Sequence, residues 1–222
     1  MKKTIDLSAA LGIPPLPSHS SDTIGALLWS REVLQQHQTS TYAVTDPKGI
    51  EELKPVKIGG IDQLLHIRGR NRNNPILLYL HGGPPSGSSW IGLMDAIQRP
   101  WEDYFTVVQW NQRGSFTSYY PENDETDPTI QRAIEDTEEV IQYLRRHLNQ
   151  DKLFVLGHSM GSVMGMHMIK RHPDWFHAYI GVGQVVNNMD AERMIYERLL
   201  SHAKEQKDDQ LMVKLEAIAP YP

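Results

Sequence analysis

Residues 153–161 read LFVLGHSMG, and this stretch decides the fold of the chain. Its first four residues form an apolar run of strand length, and the small and apolar residues that follow predict a helix over 159–170. Between them stands the pattern Gly-x-Ser-x-Gly, in which a sharp strand-to-helix turn lifts a serine hydroxyl above the edge of a sheet. The glycines flank the serine because side chains there would collide in so tight a turn. We therefore expect Ser159 to be a nucleophile.

The rest of the chain alternates between strand and helix patterns. Apolar runs bounded by turn residues predict six strands, at 52–58, 61–67, 76–80, 105–110, 153–156 and 178–186. The first two flank Gly59-Gly60, a two-residue connection that favours a tight hairpin turn. Residues 129–148 have apolar positions at helical spacing, with acidic residues early and basic residues late. This alternation predicts an α/β fold with a mainly parallel sheet that is covered on both faces.

Three regions are predicted along the chain. Residues 1–40 read as an N-terminal arm rich in Pro and Ser, with a helix over 21–38. Residues 41–186 contain the predicted strands and form the α/β core. From 187 to 222 the chain is rich in Glu, Lys and Met and contains two helical segments with no strand between them. We expect this last region to be part of a helical cap or lid.

The composition excludes several classes of function. The chain has 222 residues, 40% of them hydrophobic and 22% charged, which is typical of a soluble globular protein. A net charge of −5 provides no positive field for nucleic acid, and no apolar stretch is long enough to cross a membrane. The absence of cysteine excludes disulfides and thiolate nucleophiles. We find no motif for a metal or a cofactor, so we expect neither, and we expect a cytoplasmic location.

A glycine-rich loop follows the predicted strand 76–80, where residues 81–85 read HGGPP. Acyl transfer passes through a tetrahedral oxyanion that needs two fixed hydrogen-bond donors. Backbone N–H groups can approach such an oxyanion closely where glycine leaves room. The prolines of the loop have no N–H group, so we expect the donors to be the backbone N–H groups of Gly83 and of Met160, which directly follows the serine.

Three motifs appear in one order: HGGP at 81–84, QRG at 112–114 and GHSMG at 157–161. With them the chain resembles the α/β-hydrolase superfamily, and within it the prolyl aminopeptidase (proline iminopeptidase) group, over about residues 52–190. The resemblance implies the α/β-hydrolase fold and a serine hydrolase that acts on an amide or ester of a small molecule or short peptide. The motif GHSMG is commoner among esterases and other hydrolases of the superfamily, so a carboxylesterase-type hydrolase remains an alternative.

The resemblance also implies eight strands, with the acid of the catalytic triad after the seventh and its histidine after the eighth. The sequence accounts for six strands, so we expect the last two strands and both triad partners to lie outside this chain, and we expect the polypeptide alone to hydrolyse poorly. Asp190 and His202 preserve the order serine, acid, histidine and are the one substitute within the chain. A non-catalytic binding module of the same fold is a further alternative.

Two more expectations concern binding. An open sheet edge where further strands belong would invite pairing with a second copy of the chain, so association through this edge is a hypothesis. The resembling aminopeptidases bind the free amine of the substrate with cap glutamates, and Glu192, Glu197 and Glu205 are candidates for that role. The alternative interpretation is that these glutamates form a solvated helix face.

Overall fold

The computed structural model describes residues 43–83, 98–115, 118, 129–219 and 221. The predicted arm and helix of residues 1–40 lie outside the described residues. The strands are β1 (Ile50–Ile58), β2 (Ile61–Gly69), β3 (Ile76–Leu80), β4 (Thr106–Trp110), β5 (Leu153–His158) and β6 (Phe176–Val182). The α-helices are α1 (Ile130–His147), α2 (Met160–Arg171), α3 (Asn188–Gln206) and α4 (Asp209–Ala217), with short 3₁₀ helices at Arg99–Asp103 and Pro173–Trp175.

All six predicted strands are confirmed, and the largest error in their bounds is at the last one. The sequence pattern extends that strand to residue 186, but β6 ends at Val182. Gly183 has a φ of 56°, a left-handed conformation that turns the chain out of the strand. The apolar residues after this turn belong to the loop that leads to α3.

Within the described residues the strands form one sheet in the order β1-β2-β4-β3-β5-β6. β3 pairs in parallel with β4 and with β5, and β5 pairs in parallel with β6. β1 and β2 form an antiparallel hairpin, and β2 also pairs antiparallel with β4. Gly59 and Gly60 have φ values of 54° and 83°, which is the requirement of the tight turn predicted from sequence. The mainly parallel sheet is therefore confirmed.

The strand order places a topological switch point at β3. From β3 the chain moves to one side, to β4, and then crosses back to form β5 on the other side of β3. In open α/β sheets such a switch leaves a crevice at the carboxyl ends of the two strands, where ligands bind. The residues that follow β3 and β5 are the glycine-rich loop and Ser159, so the fold brings the two predicted parts of the site together.

The centre of the sheet is covered on both faces. All five residues of β3 and all five of β4 are buried, which explains why these strands read as continuous apolar runs. Leu78 stands in register between Val108 and Val155, and all three are fully buried. Fully burying one such side chain contributes about 1.5–3 kcal/mol.

The two edges of the sheet differ in character. β1 alternates between exposed and inward residues and has Lys54, Pro55 and Lys57 along its length, and such charges and proline discourage pairing with another chain. β6 has no Lys, Arg, Asp, Glu or Pro and exposes Ile180 and Val182. In the described sheet β6 pairs with β5 alone. Association of two copies through this edge stays a prediction.

A buried charge pair joins the QRG motif at 112–114 to α1. Arg113 contacts Asp136 with two hydrogen bonds, from Nε at 2.8 Å and from Nη2 at 3.1 Å, and both side chains are buried. The same Nη2 donates to the Gly59 carbonyl at 2.8 Å, while the Gly59 N–H donates to Glu139 at 2.7 Å. Arg132 adds a third contact to Asp136 at 2.8 Å. The cluster therefore fixes the hairpin turn and the start of α1 against the end of β4.

Removing the carboxylate of Asp136 should destabilise the fold. The variant Asp136→Ala leaves the Arg113 guanidinium buried without its partner, and breaking a buried pair in this way costs about 3–5 kcal/mol. We expect a loss of that size in the free energy of unfolding, measured by urea denaturation. Glu135→Ala removes a neighbouring, more exposed ion pair with Arg132 and should cost less than about 1 kcal/mol. Equal losses in the two variants would contradict the argument.

A second cluster attaches β1 to the end of α1. Glu52 contacts Lys54 at 2.6 Å and His147 at 2.8 Å. Partial burial opposes ionisation of Glu52, but the hydrogen bonds from Lys54 and His147 outweigh it and hold the pKa of this carboxyl below its ordinary value. The stabilisation from the lowered pKa is therefore present above the unfolded-state pKa of Glu52 and is lost as the pH falls through the lower folded-state value.

We expect the stability difference between wild type and Glu52→Gln to shrink on acidification. The measurement is the free energy of unfolding of both proteins from about pH 6 to well below the ordinary glutamate pKa of 4.5, because Glu52 loses its charge as the pH falls through its lower folded-state pKa. Glu216→Gln, on α4, is the control and should show a difference that does not follow the same trend. A Glu52→Gln difference that stays constant with pH would show that the cluster does not stabilise the fold through the charge of Glu52.

Candidate active site

Ser159 stands in a backbone conformation that few side-chain-bearing residues adopt. It follows β5, precedes the first residue of α2 and has φ 50° and ψ −118°. Such strain persists only where the surrounding structure enforces it, and it clusters at functional sites. Serine at the start of a helix ordinarily caps it with its hydroxyl, but here the hydroxyl makes no capping hydrogen bond. The Oγ atom is therefore not committed to stabilising the helix.

Backbone hydrogen bonds and one further serine hold Ser159 in place. Its N–H donates to the carbonyl of Val182, at the end of β6, at 2.9 Å. Its carbonyl accepts from the N–H of Ser162 at 2.9 Å and from the Ser162 hydroxyl at 2.6 Å. The Ser162 Oγ in turn accepts from the N–H of Val185 at 3.0 Å. Ser162 is fully buried and braces the turn, a role that the sequence motif does not reveal.

Glycines allow the turn to lie directly against the end of β3. A Cβ atom on Gly161 would lie 2.6 Å from the carbonyl carbon of Leu80 and 2.8 Å from the carbonyl oxygen of His81. A Cβ atom on Gly82 would lie 2.7 Å from the Cβ atom of Ser159. Real Cβ atoms do not approach so closely, so these glycines are required by the contact between the turn and the loop.

The variant Gly161→Ala tests this contact, because helix propensity and the close contact predict changes of opposite sign in the free energy of unfolding. Alanine is a better helix former than glycine by up to about 1 kcal/mol, so helix propensity alone predicts stabilisation. The added methyl group overlaps the backbone of Leu80, and we expect a net destabilisation of at least about 2 kcal/mol in urea denaturation. Met166→Ala, on an exposed position of the same helix, should change stability by less than about 0.5 kcal/mol. A stabilised Gly161→Ala protein would refute the close approach.

The loop after β3 is held by its own histidine. His81 is buried, and its Nδ1 atom lies 3.1 Å from the Gly82 carbonyl, so Nδ1 bears the proton and donates it. Burial lowers the pKa of His81, against the opposing effect of this hydrogen bond. The Gly82 carbonyl and the Gly83 N–H belong to one trans peptide plane and point in opposite directions. The His81 contact therefore also fixes the direction of the Gly83 N–H.

A second side chain supports this loop from the end of β4. The Gln112 amide donates to the His81 carbonyl at 3.3 Å, so the QRG motif at 112–114 contacts the loop as well as the hairpin.

Gly83 itself has a φ of 83°, a conformation that glycine adopts without strain. Met160 is the first residue of α2, and its N–H therefore has no acceptor within the helix.

Two cavities share walls close to Ser159, and Ser159 itself lines the larger one. The larger has a volume of about 720 Å³, is open to solvent and contains Ser159, Gly83 and Met160. Its remaining described walls are mostly apolar: Ile130, Val163, Met166, His167, Gln184, Val185, Val186 and Asn188. The smaller has a volume of about 170 Å³ and shares Gly83, Met160 and Ile130 with the larger. The structure thus brings the three residues predicted from sequence, Ser159, Gly83 and Met160, to one cavity.

The substitute triad of Ser159, Asp190 and His202 is wrong. Asp190 and His202 both lie on α3, twelve residues apart, which is about 18 Å along a helix. Asp190 forms hydrogen bonds with Asn187 and Arg193 at the start of that helix instead. Sequence order allowed this combination, but a continuous helix keeps the two side chains apart.

Of the histidines in the described residues, His167 lines the larger cavity with Ser159. It stands eight residues further along α2, about 12 Å away along the axis, which is beyond hydrogen-bond reach of the Ser159 hydroxyl.

The three cap glutamates that are candidates for binding an amine do not line the cavity of Ser159. Glu192 accepts from Tyr221 at 2.8 Å, and Glu197 and Glu205 line a separate open groove on α3.

The described residues contain no group of three or more His, Asp and Glu side chains that could hold a metal ion. Across 43–83, 98–115 and 129–219, no helix combines the length and apolar character needed to cross a membrane.

Comparison with known proteins identifies the family of this fold. Residues 75–210, more than half of the chain, match the family model described as the alpha/beta hydrolase fold. The chain belongs to the α/β-hydrolase fold family. The six-stranded sheet, the sharp turn at Ser159 and the glycine-rich loop are consistent with this α/β hydrolase assignment.

Two curated relatives have names that describe peptidases. The chain is 40% identical over 164 residues to the probable aminopeptidase YbaC of Bacillus subtilis, a match that covers 74% of this chain and 51% of the relative. It is 26% identical over 122 residues to the proline iminopeptidase of Lactobacillus helveticus, covering 54% of this chain and 40% of the relative. The resemblance to the prolyl aminopeptidase group is confirmed, and the matches span about half the length of these curated relatives or less.

Solved structures extend the comparison. A proline iminopeptidase-related protein from Thermus thermophilus is 27% identical, with a TM-score of 0.50 over 62% of this chain and 46% of that protein. The 2-hydroxy-6-oxo-6-phenylhexa-2,4-dienoate hydrolase of a Rhodococcus species is 25% identical, with a TM-score of 0.53 over 65% of this chain and 49% of that protein. Both likenesses support the α/β hydrolase fold.

Proposed function

We propose that the chain is part of a serine hydrolase that cleaves an amide or ester, with Ser159 as its nucleophile. The observation that carries this proposal is the strained turn, which leaves the Ser159 hydroxyl free of capping and beside a cavity of about 720 Å³. In the reaction, Ser159 Oγ attacks the substrate carbonyl and the leaving amine or alcohol departs with a proton. Water then attacks the acyl-serine, which releases the acid and restores the hydroxyl.

The proposed oxyanion donors are the N–H groups of Gly83 and Met160. Three observations support them: both residues line the cavity of Ser159, the Met160 N–H has no acceptor within α2, and the His81 contact fixes the direction of the Gly83 N–H. Each donor of this kind is worth about 10²–10³ in rate in serine hydrolases, because it is aimed before the charge develops.

A serine needs a histidine base, and we place that base outside the described residues. His167 is too far from Ser159 along α2, and Asp190 and His202 are too far from each other to form a relay. Because the resemblance implies that the triad histidine follows an eighth strand, we expect residues 1–222 by themselves to react slowly, with Ser159 relying on bases from solution.

A fluorophosphonate and external imidazole test the nucleophile and the base separately. Fluorophosphonate captures an activated serine with loss of fluoride, and imidazole can act as the general base that the triad histidine provides. We expect one slow adduct per chain by intact mass, formed several-fold faster with imidazole after correction for hydrolysis of the reagent. Ser159→Ala should form no adduct.

Ser201→Ala is the matched control for this labelling, since Ser201 is an exposed serine on α3. It should be labelled at the wild-type rate. Equal labelling of Ser159→Ala and wild type would overturn the assignment of the nucleophile. Fast labelling without imidazole that disappears in Ser159→Ala would show that the chain already contains a working base.

The amide substrate is the leading proposal because the named relatives are an aminopeptidase and proline iminopeptidases. The motif GHSMG favours an esterase as the alternative. Turnover of proline arylamides and of p-nitrophenyl esters by the same preparation compares the two, with Ser159→Ala as the blank for each. Preference for the arylamide supports the peptidase assignment, and preference for uncharged esters supports the esterase.

A further inference from the structure

We propose that the smaller cavity, which shares Gly83 and Met160 with the cavity of Ser159, is a binding pocket for one compact, uncharged, apolar substituent of the substrate. The cavity has a volume of about 170 Å³ and is lined by residues of β4, α1 and α2 together with Gly83. That its occupant belongs to a substrate rests on the proposed function. The size and polarity of the occupant rest on the pocket alone.

The volume limits the occupant to about one ring. A cavity of about 150 Å³ with apolar walls is known to hold benzene. The pocket of about 170 Å³ therefore accommodates a phenyl ring, a five-membered ring or a short branched alkyl group. A longer or bicyclic group would have to extend into the larger cavity.

The described walls are mostly apolar, and the polar side chains of Gln112 and Thr129 also border the cavity. The apolar walls include Trp110, Ile130, Ala133 and Met164, of which Trp110 and Met164 are almost fully buried. The one polar atom of the tryptophan ring is already used, because its Nε1–H donates to the Gln63 side chain at 2.9 Å. These side chains therefore offer an occupant contact surface and no free hydrogen-bond donor.

The charged pair that also lines the pocket cannot hold an ammonium group. Asp136 Oδ2 accepts from Arg113 Nε at 2.8 Å and from Gln63 at 2.9 Å. Its Oδ1 accepts from Arg113 Nη2 at 3.1 Å and from Arg132 Nε at 2.8 Å. Two donors on each oxygen use the acceptor capacity of the carboxylate. A buried ammonium would find no acceptor there, which makes its transfer from water costly.

The position of the pocket connects it to the reaction. Gly83 and Met160, whose N–H groups are the proposed oxyanion donors, line both cavities, and Ile130 borders both as well. A substrate with its carbonyl between these N–H groups can therefore place one substituent in the small pocket and the other in the large one. If the substrate has a free amine, the amine must lie on the side of the large cavity.

Fluorobenzene, observed by ¹⁹F NMR, tests the pocket without requiring catalysis. We expect saturable binding to residues 1–222 and unchanged binding to Ser159→Ala. Toluene and benzylammonium have the same ring and differ in charge, so they serve as competitors. Toluene should displace fluorobenzene, and benzylammonium should do so at least about tenfold less well, because the one carboxylate in the described lining already accepts four hydrogen bonds and cannot pair with the ammonium charge. Equal displacement by the two, or no saturable binding, would overturn the proposal.

Substitutions at Ala133 locate the binding. Ala133→Leu fills the pocket and should reduce the affinity for fluorobenzene at least tenfold, and Ala133→Val should reduce it less. Ala191→Leu makes the same change at an exposed position of α3 and should leave the affinity unchanged. If Ala133→Val, and Ala133→Leu where it folds, bind fluorobenzene with wild-type affinity, the ligand does not bind in the smaller cavity. Binding that persists when fluorophosphonate fails to label Ser159 would support the pocket and contradict only the proposed function.

Discussion

The close approach of α2 to the carboxyl end of β3 is the constraint on which the rest of the site depends. The backbone at Gly161 lies against the carbonyl groups of Leu80 and His81, and no side chain fits between them. This contact sets the distance between the serine and the glycine-rich loop. It is possible because β3 and β5 are neighbours in the sheet, so the segments that follow them begin side by side. The pairing of β5 with β6 adds the Val182 carbonyl that holds the N–H of Ser159.

The buried pair of Arg113 and Asp136 stabilises the elements around the site. It holds the hairpin turn through the Gly59 carbonyl and holds α1 through Asp136, which lies on that helix. It also forms part of the wall of the small pocket. A buried ion pair is weak evidence for stability by itself, because desolvation offsets much of the attraction. Its effect here is on geometry: α1 cannot shift without separating these two buried charges.

Most of the fold could be predicted from sequence because it is encoded locally. Apolar runs and turn residues identified the strands, and the pattern around Ser159 identified the turn. What the sequence did not reveal depends on contacts between distant segments. From sequence alone Ser162 is one more small residue of a helix, and only the structure shows that the Val185 N–H donates to its hydroxyl. In the same way, only the structure shows that the Gln112 amide donates to the loop after β3. The pairing of Asp190 with His202 failed because residue order contains no distances.

The charges around the two cavities sharpen the choice between an aminopeptidase and an esterase. An aminopeptidase must bind a free ammonium group, which requires an acceptor, most effectively a carboxylate. Asp136 is saturated by four donors, and the described residues that line the larger cavity include no Asp or Glu. An amide substrate with a free amine therefore requires a carboxylate contributed from beyond the described residues. An ester with an uncharged acyl group requires none, and its chemistry matches the apolar walls and the two N–H groups proposed as oxyanion donors.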